Sequence, residues 1–140
     1  MVWSKPWCIG VLTTVALLAT GCTATTGPAY TELDRPQTNA DLFREDYSKI
    51  SESGSVRLVG ELDGRSFYLA LPKGDEIKDG ICILVSGADV PDGAVGGCSG
   101  PNSASGYPFG KLKHAPSRIP DSAIQDGWVR ISDNLIFLPS

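Results

Sequence analysis

Histidine is nearly absent from this 140-residue chain, which has one, His114, together with one methionine and four cysteines. A lone histidine excludes the common nucleophile–base pairing unless His114 itself serves, and it stands in a basic stretch, Lys111-Leu112-Lys113-His114, that reads as a surface loop. No Gly-x-Ser-x-Gly elbow, Ser-x-x-Lys or Cys-x-x-Cys occurs, which removes the usual serine-hydrolase, penicillin-binding and zinc-ribbon signatures. Asp89 and Asp92 share a loop with Gly87 and Gly93, but the alternating acids and closing glutamate of a calcium loop are missing. Gly96 and Gly97 before Cys98 lack the lysine and following helix of a phosphate cradle, so close packing of a strand explains them better. The composition asks for no cofactor.

Basic charge is also short. Beyond the N-terminal segment 1–21, 11 basic side chains face 16 acidic ones, and a net acidic surface argues against nucleic acid or anionic lipid as a partner. Long apolar runs are missing too, with one exception. Lys5 precedes an apolar run over 6–18, and the small residues Ala19, Thr20 and Gly21 lead directly to Cys22, the three-part layout of an export signal. Leu18-Ala19-Thr20-Gly21-Cys22 resembles a bacterial lipobox, whose cysteine sulfur receives a diacylglycerol, although leucine stands one position further out than usual. Plain secretion after cleavage and an uncleaved anchor over 7–24 are the competing readings. The expectation is a signal peptide over 1–21, lipid attachment at Cys22 with the membrane as partner, a flexible tether over 22–36 rich in Thr and Pro, and one small domain over 37–140.

With Cys8 in the signal and Cys22 acylated, Cys82 and Cys98 remain, and an even pair in an oxidising compartment predicts a disulfide. The strand pattern supports it. Residues 80–85 and 94–98 flank the turn residues Pro91-Asp92-Gly93, and a hairpin symmetric about residue 90 pairs 86 with 94, 84 with 96 and 82 with 98. A second hairpin is signalled by Asp63-Gly64 between 56–62 and 65–71, with 62 opposite 65, 60 opposite 67, 58 opposite 69 and 56 opposite 71. That register puts Val56, Leu58, Leu62, Phe67, Leu69 and Leu71 on a core face and Arg57, Glu61, Ser66 and Tyr68 on a wet one. A third hairpin is predicted around Asp133-Asn134, with short strands near 111–113 and 118–119. Ahead of them Thr38 and Asn39 offer caps to a short amphipathic helix over 41–50, with Phe43, Tyr47 and Ile50 on the face that packs against a sheet. The fold class is therefore mainly β (α+β): a small antiparallel sheet of about six strands in hairpins, with one short N-terminal helix.

The run 55–64, the Phe67-Tyr68-Leu69-Ala70 and Ile81-Cys82-Ile83-Leu84 strands, the Gly97-Cys98-Ser99 return and the terminal 127–135 resemble small uncharacterised cell-envelope lipoproteins of actinobacteria. The resemblance implies export, a lipid tether and the Cys82–Cys98 bridge, and carries no activity. The function expected is a non-enzymatic binding or structural module that meets a cell-wall component or another envelope protein, with a small carboxylate-dependent hydrolase as the alternative. Because hairpin faces are occupied by the core, recognition is expected on outward aromatics: Tyr68, and Tyr107 and Phe109 in a Gly-rich loop. The competing account of Tyr107 and Phe109 is that they close the end of a small core.

Overall fold

The computed structural model describes residues 30–140. The expected signal peptide over 1–21, Cys22 and the expected tether as far as residue 29 lie outside the described residues.

Asp63 and Gly64 both have positive φ, 51° and 77°, as a two-residue type I′ turn requires, and they join β1 (Arg57–Leu62) to β2 (Arg65–Ala70). β3 (Ile81–Gly87) and β4 (Ala94–Ser99) follow as the next hairpin, and the four form one antiparallel meander in the order β1-β2-β3-β4. The second hairpin pairs as the turn residues predict, with Ser86 opposite Ala94, Leu84 opposite Gly96 and Cys82 opposite Cys98. The cysteines form a disulfide, S–S 1.97 Å. Closing a loop of this length restricts the unfolded chain by about 3 kcal/mol.

A second antiparallel sheet holds β5 (Ala104–Tyr107), β6 (Gly110–His114), β7 (Val129–Ser132) and β8 (Leu135–Pro139) in the order β5-β6-β8-β7. The described residues form eight strands rather than six. β5 has no apolar run to announce it, since it is Ala-Ser-Gly-Tyr. The strand expected at 118–119 is absent; Arg118 is drawn to Asp121 and Asp133, and the Ile119 amide donates to the Asp133 carbonyl at 2.7 Å. Between the sheets lie Phe67, Leu69, Ile81, Ile83 and Val85 of the first and Leu112, Leu135 and Phe137 of the second, with Phe67 and Phe137 ring centroids 5.2 Å apart. At one edge β1 meets β7 so closely that a Cβ on Gly60 would lie 2.8 Å from the Ile131 carbonyl oxygen.

Three expectations are corrected. The first hairpin keeps Leu62 opposite Arg65 and Gly60 opposite Phe67, but the register shifts between Leu58 and Gly60, so that Leu58 faces Tyr68 and Arg57 faces Leu69. One extra residue in a strand reverses every later side chain. Arg57 is accordingly buried, its guanidinium donating to the carbonyls of Arg35, Gly54 and Val56 at 2.7–2.8 Å, and Leu71 is exposed.

No α-helix forms over 41–50. Asn39–Asp41 is a single 3-10 turn, and the chain then runs irregularly over the outer face of the first sheet to a turn at 48–50. Distance explains this. The Asp41 carboxylate binds the Leu58 amide of β1 while Tyr47 rests on Gly96 of β4. Three strand spacings are about 14 Å, whereas six helical residues cover only about 9 Å. The apolar side chains still dock on the sheet, as the pattern predicted: Phe43 packs edge-on against Tyr47 and Tyr68 with centroids 5.3 and 4.9 Å apart.

Residues 30–36, expected as the end of a flexible tether over 22–36, are instead packed on the domain. From Tyr30 the chain is part of the domain: Tyr30 is buried in the core, Leu33 packs against it, and Arg35 grips Asp41 through two hydrogen bonds of 2.6–2.7 Å.

Candidate functional site

The strap over 41–50 converts the expected wet face of the first sheet into a second, smaller packed layer. Tyr68, Ala70, Cys82 and Leu84 are all buried beneath or beside it. Gly96 is the residue that lets the strap approach, because a Cβ there would lie 2.7 Å from the Tyr47 ring and 2.5 Å from Leu84. The Ile50 carbonyl oxygen sits 3.4–3.5 Å from both disulfide sulfurs, so the bridge forms part of the floor.

Asp41 holds the strap down at its start. It is fully buried and accepts hydrogen bonds from Arg35, from the Thr38 amide at 2.6 Å and hydroxyl at 3.0 Å, and from the Leu58 amide at 2.7 Å. The Arg35 guanidinium and these donors keep its carboxyl far below the usual carboxylate range.

Between the strap and the outer face of the first sheet opens a cleft of about 450 Å³, lined by Leu42, Phe43, Arg44 and Glu45 of the strap and by Ser66, Tyr68 and Ser86 of β2 and β3. Leu42 is 63% exposed at its rim, the most exposed large apolar side chain among the described residues. Tyr68 is thus mostly covered, as alternation alone did not anticipate, but it faces this cleft. Phe109 is buried in the main core, and Tyr107 stacks on it with rings 5.3 Å apart and 10° from parallel. Arg65 covers the other side of that cluster, lying 5.5 Å from the Phe109 centroid and pairing with Asp89. Tyr68 is therefore not brought together with Tyr107 and Phe109; they belong to different layers.

His114 is not at the surface. Lys111-Leu112-Lys113-His114 is a strand whose alternation turns Lys111 and Lys113 out and Leu112 and His114 in. That period of two was legible in the sequence. The Tyr30 hydroxyl lies 2.7 Å from Nδ1 and the Ser99 hydroxyl 2.8 Å from Nε2. A neutral imidazole donates through one nitrogen and accepts through the other, and a hydroxyl can take either role. Burial pushes the imidazole down to about 4 and the Tyr30 phenol up to about 12, so the network is uncharged at neutral pH. A base held this low has little pull on the Ser99 proton, and its second nitrogen faces a phenol where a hydrolytic triad would place a carboxylate. What the network does hold is the start of the domain, tying Tyr30 to β4 and β6. Both Glu32 carboxylate oxygens are buried nearby with no hydrogen-bond partner among the described residues.

Among the described residues no three His, Cys, Asp or Glu side chains group as a metal site would require, and no helix is long and apolar enough to cross a membrane. The chain matches no family model, no curated protein and no solved structure.

Proposed function

We propose that this chain is an exported lipoprotein, acylated on Cys22 and held on the outer face of the cell membrane, whose folded part is a non-enzymatic binding module for a component of the envelope. The observation that carries the binding reading is the cleft beneath the strap, where Leu42, Phe43 and Tyr68 offer apolar and aromatic surface beside the hydroxyls of Ser66 and Ser86. Small-ligand and segment recognition combines apolar surface with placed polar groups, and in this cleft more of the exposed lining is polar than apolar. Glu45 is the one carboxylate on that lining, whereas hydrolysis by carboxylates alone uses a pair. This favours recognition over turnover.

A photo-crosslinking side chain at position 42 of the intact tethered protein should capture an envelope component, and Glu45→Arg, a change at an exposed residue on the cleft lining, should reduce the adduct while leaving the fold intact. Equal adducts from position 42 and from position 78, in the loop between β2 and β3, would exclude the cleft. The anchor is tested separately. Cys22→Ser should release the protein from the membrane and remove labelling by a fatty-acid analogue; label that persists would exclude acylation at this position.

A further inference from the structure

Charge is divided unevenly between the two sheets. Residues 30–99, which build the first sheet and its strap, carry seven basic and thirteen acidic side chains, whereas residues 100–140, which build the second, carry four basic and three acidic. The acidity read from the whole chain therefore belongs to one half.

The outer face of the second sheet is where the cations gather. Lys111 and Lys113 of β6 point outward and are exposed, level with Leu138 and Ile136 of β8 in the ladder, and Arg130 of β7 lies opposite Ile136. The Lys113 ammonium lies 4.6 Å from the Trp128 ring centroid. Arg118 and Arg130 share Asp121, and Arg118 also meets Asp133. Lys111 and Lys113 have no carboxylate partner among the described residues. Beside them a cleft of about 340 Å³ is lined by Lys113, Arg118, Asn102, Ser103, Ser117 and His114.

Tyr30 grips His114 from the core side of β6, opposite the lysines, and residues 31–33 run against β1 and β2. Only seven residues, 23–29, separate Cys22 from Tyr30, a reach of at most about 29 Å whatever their conformation. We propose that the outer face of the second sheet, Lys111 and Lys113 around Trp128 with the adjoining cleft, rests on the anionic phosphate head groups of the membrane that holds the chain. This rests on the anchor reading above. A short tether keeps the face at high local concentration near the bilayer. Each lysine close to an anionic surface adds roughly a fivefold preference. Tryptophan beside lysine suits the interface, where the ring meets the apolar boundary and the ammonium the head groups. The acidic first sheet is repelled by the same surface. Its cleft is thereby directed outward.

Trp128 is the sole tryptophan beyond the signal segment, since the other two are Trp3 and Trp7, and it supplies the test. The acylated full-length mature protein is placed on vesicles of phosphatidylcholine containing phosphatidylglycerol, or of phosphatidylcholine alone, each with a head-group quencher. Quenching of Trp128 should be several-fold stronger on the anionic vesicles. It should fall to the neutral-vesicle level at about 1 M salt, where screening acts within about 3 Å. Lys111→Gln with Lys113→Gln should lose the difference while the protein stays vesicle-bound, and Lys→Arg at both positions should keep it. Equal quenching on both vesicle types in an acylated protein overturns the proposal and leaves the anchor standing. A protein whose intact mass shows no acyl groups removes the anchor and this proposal with it.

Discussion

Two buried ionisable residues set the acid sensitivity of the domain. His114 is held neutral by burial, with its folded value near 4 against an ordinary 6.5. The unfolded chain therefore takes up a proton first as pH falls. Stability is complete above about 6.5, declines between 6.5 and 4, and is constant with respect to this group below 4; the loss is at most about 3 kcal/mol. Asp41 acts lower. Its folded value is depressed, so its contribution is present above the ordinary carboxylate range and is lost as pH falls below it. Thermal denaturation across pH 3–7 should show the first decline in the native chain and not in His114→Gln, whereas Asp41→Asn should lower stability by about 3 kcal/mol at pH 7, because Arg35 loses its counter-charge and an NH2 donor replaces one of the two oxygens that accept from Arg35, Thr38 and Leu58. A flat profile for the native chain between pH 6.5 and 4 would contradict the burial of His114.

At the scale of elements, packing decides what sequence pattern only proposes. Tyr107 and Phe109 are stacked, yet Phe109 faces the main core and Tyr107 its edge, so they should behave differently. Phe109→Ala should cost about 3–5 kcal/mol, a fall in Tm of roughly 15 °C or more, and Tyr107→Ala distinctly less. Equal losses would mean that the pair acts as one plug. The strap makes a related point. Phe43, Tyr47 and Ile50 are spaced for a helix, and the spacing correctly marks Phe43 and Tyr47 as facing the sheet, but the span from β1 to β4 demands a longer path than a helix of that length provides. Gly96, legible with Gly97 as close strand packing, meets its neighbour in Tyr47 of this strap, whereas a Cβ on Gly97 would lie 3.9 Å from the Tyr107 hydroxyl.

For the molecule as a whole, the segment 30–36 is structural. It contributes Tyr30 to the core, Leu33 against it and Arg35 to the Asp41 cluster. Removing 30–36 should destabilise the domain by roughly 5 kcal/mol, about a third or more of the stability a domain of this size possesses, and should broaden or abolish cooperative unfolding. Unchanged melting of that deletion would show that the docking of Tyr30 is incidental. If Cys22 carries the proposed lipid, the few residues between it and Tyr30 allow one face of the domain to meet the membrane.

Local chemistry by itself determined the hairpins of this protein. Asp63-Gly64 and Pro91-Asp92-Gly93 demand backbone conformations that few residues adopt, and the second of these turns brings Cys82 opposite Cys98 without reference to anything distant. Alternation likewise separates Lys111 and Lys113 from Leu112 and His114 within one strand. Other features had no local signal. The extra residue near Val59, which buries Arg57, answers to the guanidinium's three carbonyl partners, all of them outside its own strand. The strap is extended because its two ends are held by strands three places apart. The pairing of β6 with β8, the burial of His114 between Tyr30 and Ser99, and the gathering of cations on one face all join residues far apart in the chain. Such contacts form only when two sheets pack and exclude water between them, so tertiary structure alone decided them.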